Sequence, residues 1–188
     1  MMAVVFVMQY VDRSLGPVLP LFVAEVGVPL ESVPVWSGIL FSLSAVAGAI
    51  GNHLCTWFLE RFPPGWVILG STVGAAGVAA SLATMSQVLL LAVWLPLFGL
   101  AIGICTTAAY TVAGRRIPSG AEGVGFGVLS SASMVGLALS PVASGLIGSV
   151  SIRGVFLVDA ILLIGLVFVV KQLNVQTTNL NESKRVLP

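Results

Sequence analysis

The chain has 188 residues, of which 57% are apolar and only 8% charged, with a formal net charge of +1. Soluble globular chains carry roughly 25% charged residues, so a surface this poor in charge cannot stay wet and much of it must face lipid. The near-neutral balance leaves no basic patch and excludes nucleic acid as a partner.

A transmembrane helix needs roughly 20 consecutive apolar residues to cross a hydrocarbon core of about 30 Å. Six stretches qualify in chain order: 1–26, 35–58, 66–85, 88–113, 123–150 and 155–173. Breakers separate them: Pro29 and Pro34, Glu60 to Gly65, Ser86 and Gln87, Arg115 to Gly120, and Ser151 to Gly154. The sequence therefore predicts an all-α, polytopic membrane protein with six transmembrane helices in residues 1–173. Residues 174–188 form a polar cytoplasmic tail, expected to be disordered. The spans are too long for barrel strands of about 9–11 residues, and the period-2 alternation of such strands is missing. The first span lacks a basic leader and contains Asp12 and Arg13, which argues against a cleavable signal peptide. It also begins at Met1 with no interfacial anchor, as expected of a start inside a longer sequence.

Orientation follows the distribution of Lys and Arg. With both termini cytoplasmic, the inner side holds Arg61, Arg115, Arg116, Lys171, Lys184 and Arg185, and the outer side only Arg153. The expectation is a multi-pass protein of the plasma (inner) membrane.

The first span carries Gln9, Asp12 and Arg13 near its middle. A charge at the bilayer centre costs roughly 2.5–3.5 kcal/mol on insertion scales, and such residues mark solute or ion pathways or interhelical pairs. Two readings stand. In one, the three residues form the polar wall of a water-filled cavity, with Asp12 as proton or cation carrier and Arg13 as anion contact. In the other, they hold two helices together. Thr106, Thr107 and Tyr110 in the fourth span could line the same cavity or pack by their hydroxyls. Asn52 and His53 in the second span rank lower, as does Asp159, which the sequence places near the outer face within reach of interfacial water.

Small residues at every fourth position let helices approach closely in lipid. Gly136, Ser140, Ser144 and Gly148 form such a stripe in the fifth span; Gly70 and Gly74 in the third and Gly99 and Gly103 in the fourth repeat the theme. Pro17, Pro20, Pro96 and Pro141 lie inside spans, where proline frees a carbonyl and kinks the helix. Cys55 and Cys105 lie in apolar runs without metal-ligand spacing and read as small buried hydrophobes. No metal site or cofactor is expected.

Residues 15–23 read LGPVLPLFV, which resembles the P-x-L-P-L-[FY]-V ending of the helix that opens each half of a major facilitator superfamily transporter. Residues 56–65 read TWFLERFPPG and stand where that family carries G-x-x-x-D-R-x-G-R-R. Glu60 and Arg61 keep the acid–base pair, while the leading Gly and basic end are missing. Residues 136–145 read GLALSPVASG, similar to the G-x-x-x-G-P-x-x-G-G signature of the drug:proton antiporter branch, with Gly145 at its end. The resemblance implies the C-terminal six-helix half of a twelve-helix carrier. It further implies alternating access, Glu60 and Arg61 in a cytoplasmic gating loop, and the first and fourth spans lining the cavity. That puts Gln9, Asp12, Arg13, Thr106 and Tyr110 on the substrate or ion pathway, with a missing N-terminal half or a homodimer partner as the second wall.

The expected function is secondary active transport, as proton-coupled efflux of small organic solutes. Proton- or sodium-coupled uptake of sugars or carboxylates is the alternative, and a truncated or structural membrane subunit a third. An intramembrane serine protease would need a G-x-S-G reactive serine facing a histidine. His53 is the only histidine, and the motif does not occur, so an enzyme is not expected.

Overall fold

The computed structural model describes the backbone of residues 1–186 and the side chains of residues 1–172. Six helices follow one another: α1 (Met2–Glu25), α2 (Val33–Arg61), α3 (Pro64–Leu82), α4 (Val88–Gly114), α5 (Glu122–Val150) and α6 (Ile152–Val186). A 3-10 turn over Leu30–Ser32 precedes α2. Among the described residues there is no strand. The first five helices start and end within three residues of the stretches expected from apolarity. The apolar part of α6 covers Ile152–Gln172, while its backbone continues to Val186, beyond the boundary at 173. The expected disorder of 174–188 is thus replaced by helix as far as Val186, and the tail's side chains and residues 187–188 lie outside the described residues.

The boundaries have local causes. Pro34 and Pro64 occupy the first turns of α2 and α3, where a missing N–H costs nothing and the fixed φ suits a helix. Gly27 and Gly120 adopt φ of +90° and +89°, which favours glycine, and they turn the chain after α1 and before α5. The Gly120 N–H donates to Glu122 Oε2 at 2.8 Å, bracing the entry to α5. Pro17, Pro20, Pro96 and Pro141 all lie within continuous helices. The carbonyls of Arg13, Gly16, Ala92 and Leu137, four residues earlier, thereby lose their helical N–H partners.

Five helices are long and apolar enough to cross a membrane on their own account. The exception is α1, diluted by Gln9, Asp12 and Arg13; its 24 residues nonetheless reach about 36 Å at 1.5 Å per residue. It lies within the bundle, packed on α5, α6, α4 and α2. The pairing has an internal symmetry. α1 lies on α5 as α4 lies on α2, α1 meets α6 as α4 meets α3, and α3 meets α6. Exchanging the first three helices for the last three leaves this pattern unchanged. Three spans is an odd number, so the second triplet enters the bilayer from the side opposite the first, as in an inverted repeat.

Burial follows helical periodicity. α2 buries Val33, Ser37, Leu40, Ala47, Gly51 and Cys55, and α5 buries Leu129, Ser133, Gly136, Ser140 and Ser144. Each set is a single stripe with steps of three and four residues, so each helix presents one narrow face to one neighbour. The remaining faces expose Val46, Ile50, Leu54, Val135, Leu139 and Leu146, which suits lipid or another apolar helix rather than water.

Two contacts are close enough that only glycine fits. A Cβ on Gly99 or Gly103 of α4 would strike the carbonyl oxygen of Ser44 or Gly48 on α2, and one on Gly51 would strike the carbonyl of Leu100. On α5, a Cβ on Gly136 would meet the Phe6 carbonyl of α1 at 2.5 Å, and the Ser140 hydroxyl donates to the Tyr10 carbonyl at 2.5 Å. Two expected small-residue positions behave differently. Gly70 and Gly74 are exposed, as is Gly145, and a Cβ on any of them meets nothing within 4 Å. α3 and α5 bury other stripes, so Gly70 and Gly74 border an open groove beside α4 and Gly145 faces outward.

At the end of the bundle where α5 turns into α6, Arg153 Nε donates to Glu25 Oε1 at 2.8 Å and its Nη1 to the Ala83 carbonyl at 3.3 Å. One side chain thus ties α1, α3 and α6. Cys55 and Cys105 are both 0% exposed, and the Cys105 sulfur lies 3.4 Å from Thr72 Oγ1. Neither thiol is expected to react with N-ethylmaleimide in the native protein, and both should react after denaturation in SDS. Mass spectrometry reads the outcome, and native labelling of either would show that α2, α3 and α4 are not packed as described.

Candidate functional site

On α1 the residues Val4, Met8, Val11, Leu15, Val18 and Phe22 are buried. The opposite stripe, Gln9, Asp12, Arg13, Gly16 and Pro17, is left half-buried or exposed. The same periodicity that buries the apolar residues therefore collects the polar ones on one uncovered face. That face borders a cleft of about 380 Å³. α1 supplies Gln9, Asp12, Arg13 and Leu15; α2 supplies Phe41, Ser44, Ala45, Gly48, Ala49 and Asn52; α4 supplies Gly99, Ile102, Gly103 and Thr106. All come from the middle of their helices, so the cleft lies near mid-membrane depth.

The cleft is polar on one side and bare backbone on the other. Arg13 Nε lies 3.7 Å from Asp12 Oδ2, and the two side chains are 58% and 40% exposed. Among the described residues the other ion pair is Arg153 with Glu25, so within this bundle Asp12 and Arg13 pair with each other on one helix. The Thr106 hydroxyl is buried and has no hydrogen-bond partner among the described residues. Asn52 Oδ1 accepts from Thr107 at 3.0 Å, which orients the amide across the α2–α4 seam. The glycines at 48, 99 and 103 let the two backbones meet and form a floor without side chains.

The structure thus brings Gln9, Asp12, Arg13 and Thr106 to one place, and Tyr110 elsewhere. Tyr110 is partly buried against the apolar core, one turn beyond Thr106, and does not border the cleft. Asn52, which ranked low on sequence, does border it, while its neighbour His53 is exposed. The signal that could have promoted Asn52 was its spacing after Ser44 and Gly48, which puts all three on one face of α2. Glu60 and Arg61 sit exposed at the end of α2 and form no ion pair among the described residues; the Arg61 guanidinium stacks over Trp57, 3.9 Å from the ring centroid. Asp159 is not at the interface with water. It is 1% exposed, inside the bundle between α6 and α1.

A larger groove of about 480 Å³ runs between α3 and α4, with Phe58, Phe62 and Trp66 at one end and Gly70, Ser71 and Gly74 along it. Its walls are almost wholly apolar, which suits acyl chains and offers no chemistry. Of these two, only the smaller cleft is lined by charged side chains. Among the described residues no group of His, Cys, Asp and Glu could hold a metal ion.

The profile of the Major Facilitator Superfamily matches residues 1–185. The chain belongs to that superfamily. It is an integral, multi-pass membrane protein with the architecture of half a superfamily bundle. The Multidrug resistance protein MdtG of Escherichia coli O1:K1 / APEC is 30% identical over 155 residues, covering 81% of this chain and 38% of the relative. MdtG of Escherichia coli strain K12 / DH10B aligns with the same identity and coverage. The chain therefore spans well under half the length of the curated relatives it matches. Membership of the superfamily points to a transporter rather than an enzyme.

Proposed function

We propose that this bundle is one half of a secondary active transporter that exports small organic solutes in exchange for protons by alternating access. One observation carries the reading: an acid–base pair, 40% and 58% exposed, at mid-membrane depth. Hydrocarbon cannot solvate such a pair, so it faces water or protein. The cleft is lined from α1, α2 and α4 alone, and a second six-helix half supplies the opposing wall, either from the same polypeptide or from a second copy. Asp12 carries the proton, Arg13 sets its charge environment, and Gln9 and Thr106 contact solute. The four carbonyls freed by proline in α1, α4 and α5 give those helices points at which to bend, with Gly136, Ser140 and Ser144 as the surface over which α5 moves on α1.

Glu60 and Arg61 lie at the end of the bundle that gates toward the cytoplasm. Six of the seven Lys and Arg residues outside α1 fall on that side by span alternation, which supports both termini lying on the cytoplasmic side of the plasma (inner) membrane. Efflux is favoured over uptake by the similarity to proteins named for multidrug resistance.

Cells expressing the protein and preloaded with ethidium should lose the dye faster than control cells, and a protonophore should erase the difference. Gradient-driven uptake of a sugar or carboxylate with no dye efflux would establish the opposite direction. The absence of any solute flux would overturn the transport reading in favour of a structural subunit.

A further inference from the structure

A second intramembrane carboxyl lies on the far side of α1 from the cleft. Asp159 of α6 is 1% exposed and belongs to a buried stripe with Phe156, Leu163, Leu166 and Val170. Phe156 packs on Phe22 of α1 with ring centroids 4.9 Å apart. Asp159 Oδ2 lies 2.5 Å from Ser14 Oγ, and Ser14 Oγ lies 2.8 Å from the Val11 carbonyl oxygen. Asp159 Oδ1 is buried with no partner. Ser14 follows Asp12 by two residues, about 200° around the helix, so the two carboxyls flank α1 on opposite sides.

Counting hydrogens decides the state of this group. The Ser14 hydroxyl has one proton, and serine in a helix commonly gives it to the carbonyl three or four residues back. Both contacts are full hydrogen bonds at once, without one proton shared between two acceptors, only if Asp159 itself carries a proton and donates it to Ser14, which donates on to Val11. An ionised Asp159 would instead be a buried anion with a single donor and a bare second oxygen. Nothing nearby neutralises it. On α1 the nearest titratable group on the Ser14 face is Tyr10, one turn away, while Asp12 and Arg13 pair in the cleft. α3 has no titratable side chain, and α5 has only Glu122, in its first turn. On α6, Arg153 is engaged by Glu25 and Ala83, and Lys171 lies three turns away. A lone buried charge costs several kcal/mol, whereas a neutral carboxyl leaves only one carbonyl oxygen unpaired.

We propose that Asp159 is a proton-binding site separate from the cleft, holding one proton at neutral pH as the donor that fastens α6 to α1 through Ser14. The proton is retained while the α1–α6 seam is closed and is given up when Ser14 moves away and water enters. This does not depend on the transport reading, since it concerns a side chain the cleft does not touch.

Infrared spectroscopy of the purified protein at neutral pH tests it. Among the described residues the other carboxyls outside the cleft, Glu25, Glu31, Glu60 and Glu122, are exposed to solvent, so the carbonyl stretch expected in the native protein is that of the buried acid. It should persist in Asp12→Asn and vanish in Asp159→Asn. Ser14→Ala leaves the carboxyl in place and removes its acceptor, so the band should move. No acid band in the native protein overturns the proposal. So does a band that vanishes in Asp12→Asn and survives Asp159→Asn, which would put the proton in the cleft. Should Asp159→Asn fail to fold, an unmoved band in Ser14→Ala decides against the proposal.

Discussion

Asp12→Asn is expected to abolish gradient-driven flux while leaving expression and thermal stability close to those of the native protein. The two outcomes separate because of where the side chain sits. Asp12 is 40% exposed and its partner Arg13 58% exposed, at 3.7 Å, and an ion pair this open contributes about 0–1 kcal/mol to stability. Asn has the same shape and can still accept from neighbouring donors, so the fold loses little. What it cannot do is take up and release a proton. A group that must carry a proton through each cycle is expected to cost roughly 100-fold or more when made inert. Solute exchange that needs no gradient should survive, because Gln9, Arg13 and Thr106 are untouched. The measurement is flux in proteoliposomes with and without an imposed pH difference. Undiminished coupling in Asp12→Asn would remove Asp12 from the proton pathway.

Gly99→Ala and Gly103→Ala should destabilise the bundle markedly, although each adds a single methyl group. Taken alone, Gly→Ala in a helix gains about 1 kcal/mol from backbone propensity. Here the added carbon would collide with the Ser44 or Gly48 carbonyl. The obstacle is helix backbone and not the end of a flexible side chain, so relief requires α2 and α4 to separate. Overpacking of this kind costs about 1–3 kcal/mol, which outweighs the propensity gain. Gly70→Ala, Gly74→Ala and Gly145→Ala carry the same chemical change into open space and should be neutral or slightly stabilising. Thermal unfolding in detergent compares the two sets. Equal behaviour of the buried and open glycines would show that α2 and α4 do not meet as described.

These glycines mark how far periodicity reaches. Gly70 with Gly74 and Gly99 with Gly103 are the same four-residue repeat, and one-dimensional spacing cannot tell them apart. The difference lies in which face of each helix meets a neighbour, and contacts between elements far apart in sequence settle that. α3 turns Val67, Thr72, Ala75 and Ala79 inward and its glycines outward, whereas α4, enclosed by α2, α3 and α1, has few faces to spare.

The amino-acid sequence by itself determined the number of helices, the boundaries of the first five to within a few residues and the membrane as solvent. Those follow from local composition, because crossing hydrocarbon demands an unbroken apolar helix wherever it occurs. It also placed Gln9, Asp12 and Arg13 in one sector of α1, since a period of 3.6 residues separates them from the apolar stripe; that this sector is left uncovered is a property of the packing. Tertiary structure alone decided what those residues meet. Asn52 joined the cleft and Tyr110 left it, because rotation of α2 and α4 about their axes is set by glycine contacts between backbones. Asp159 was drawn from an apparent wet interface into the bundle, because α6 packs that stripe on α1, where Ser14 and Phe22 receive it. Charge at membrane depth is visible in one dimension; whether it faces a cleft, a partner or a hydroxyl depends on packing.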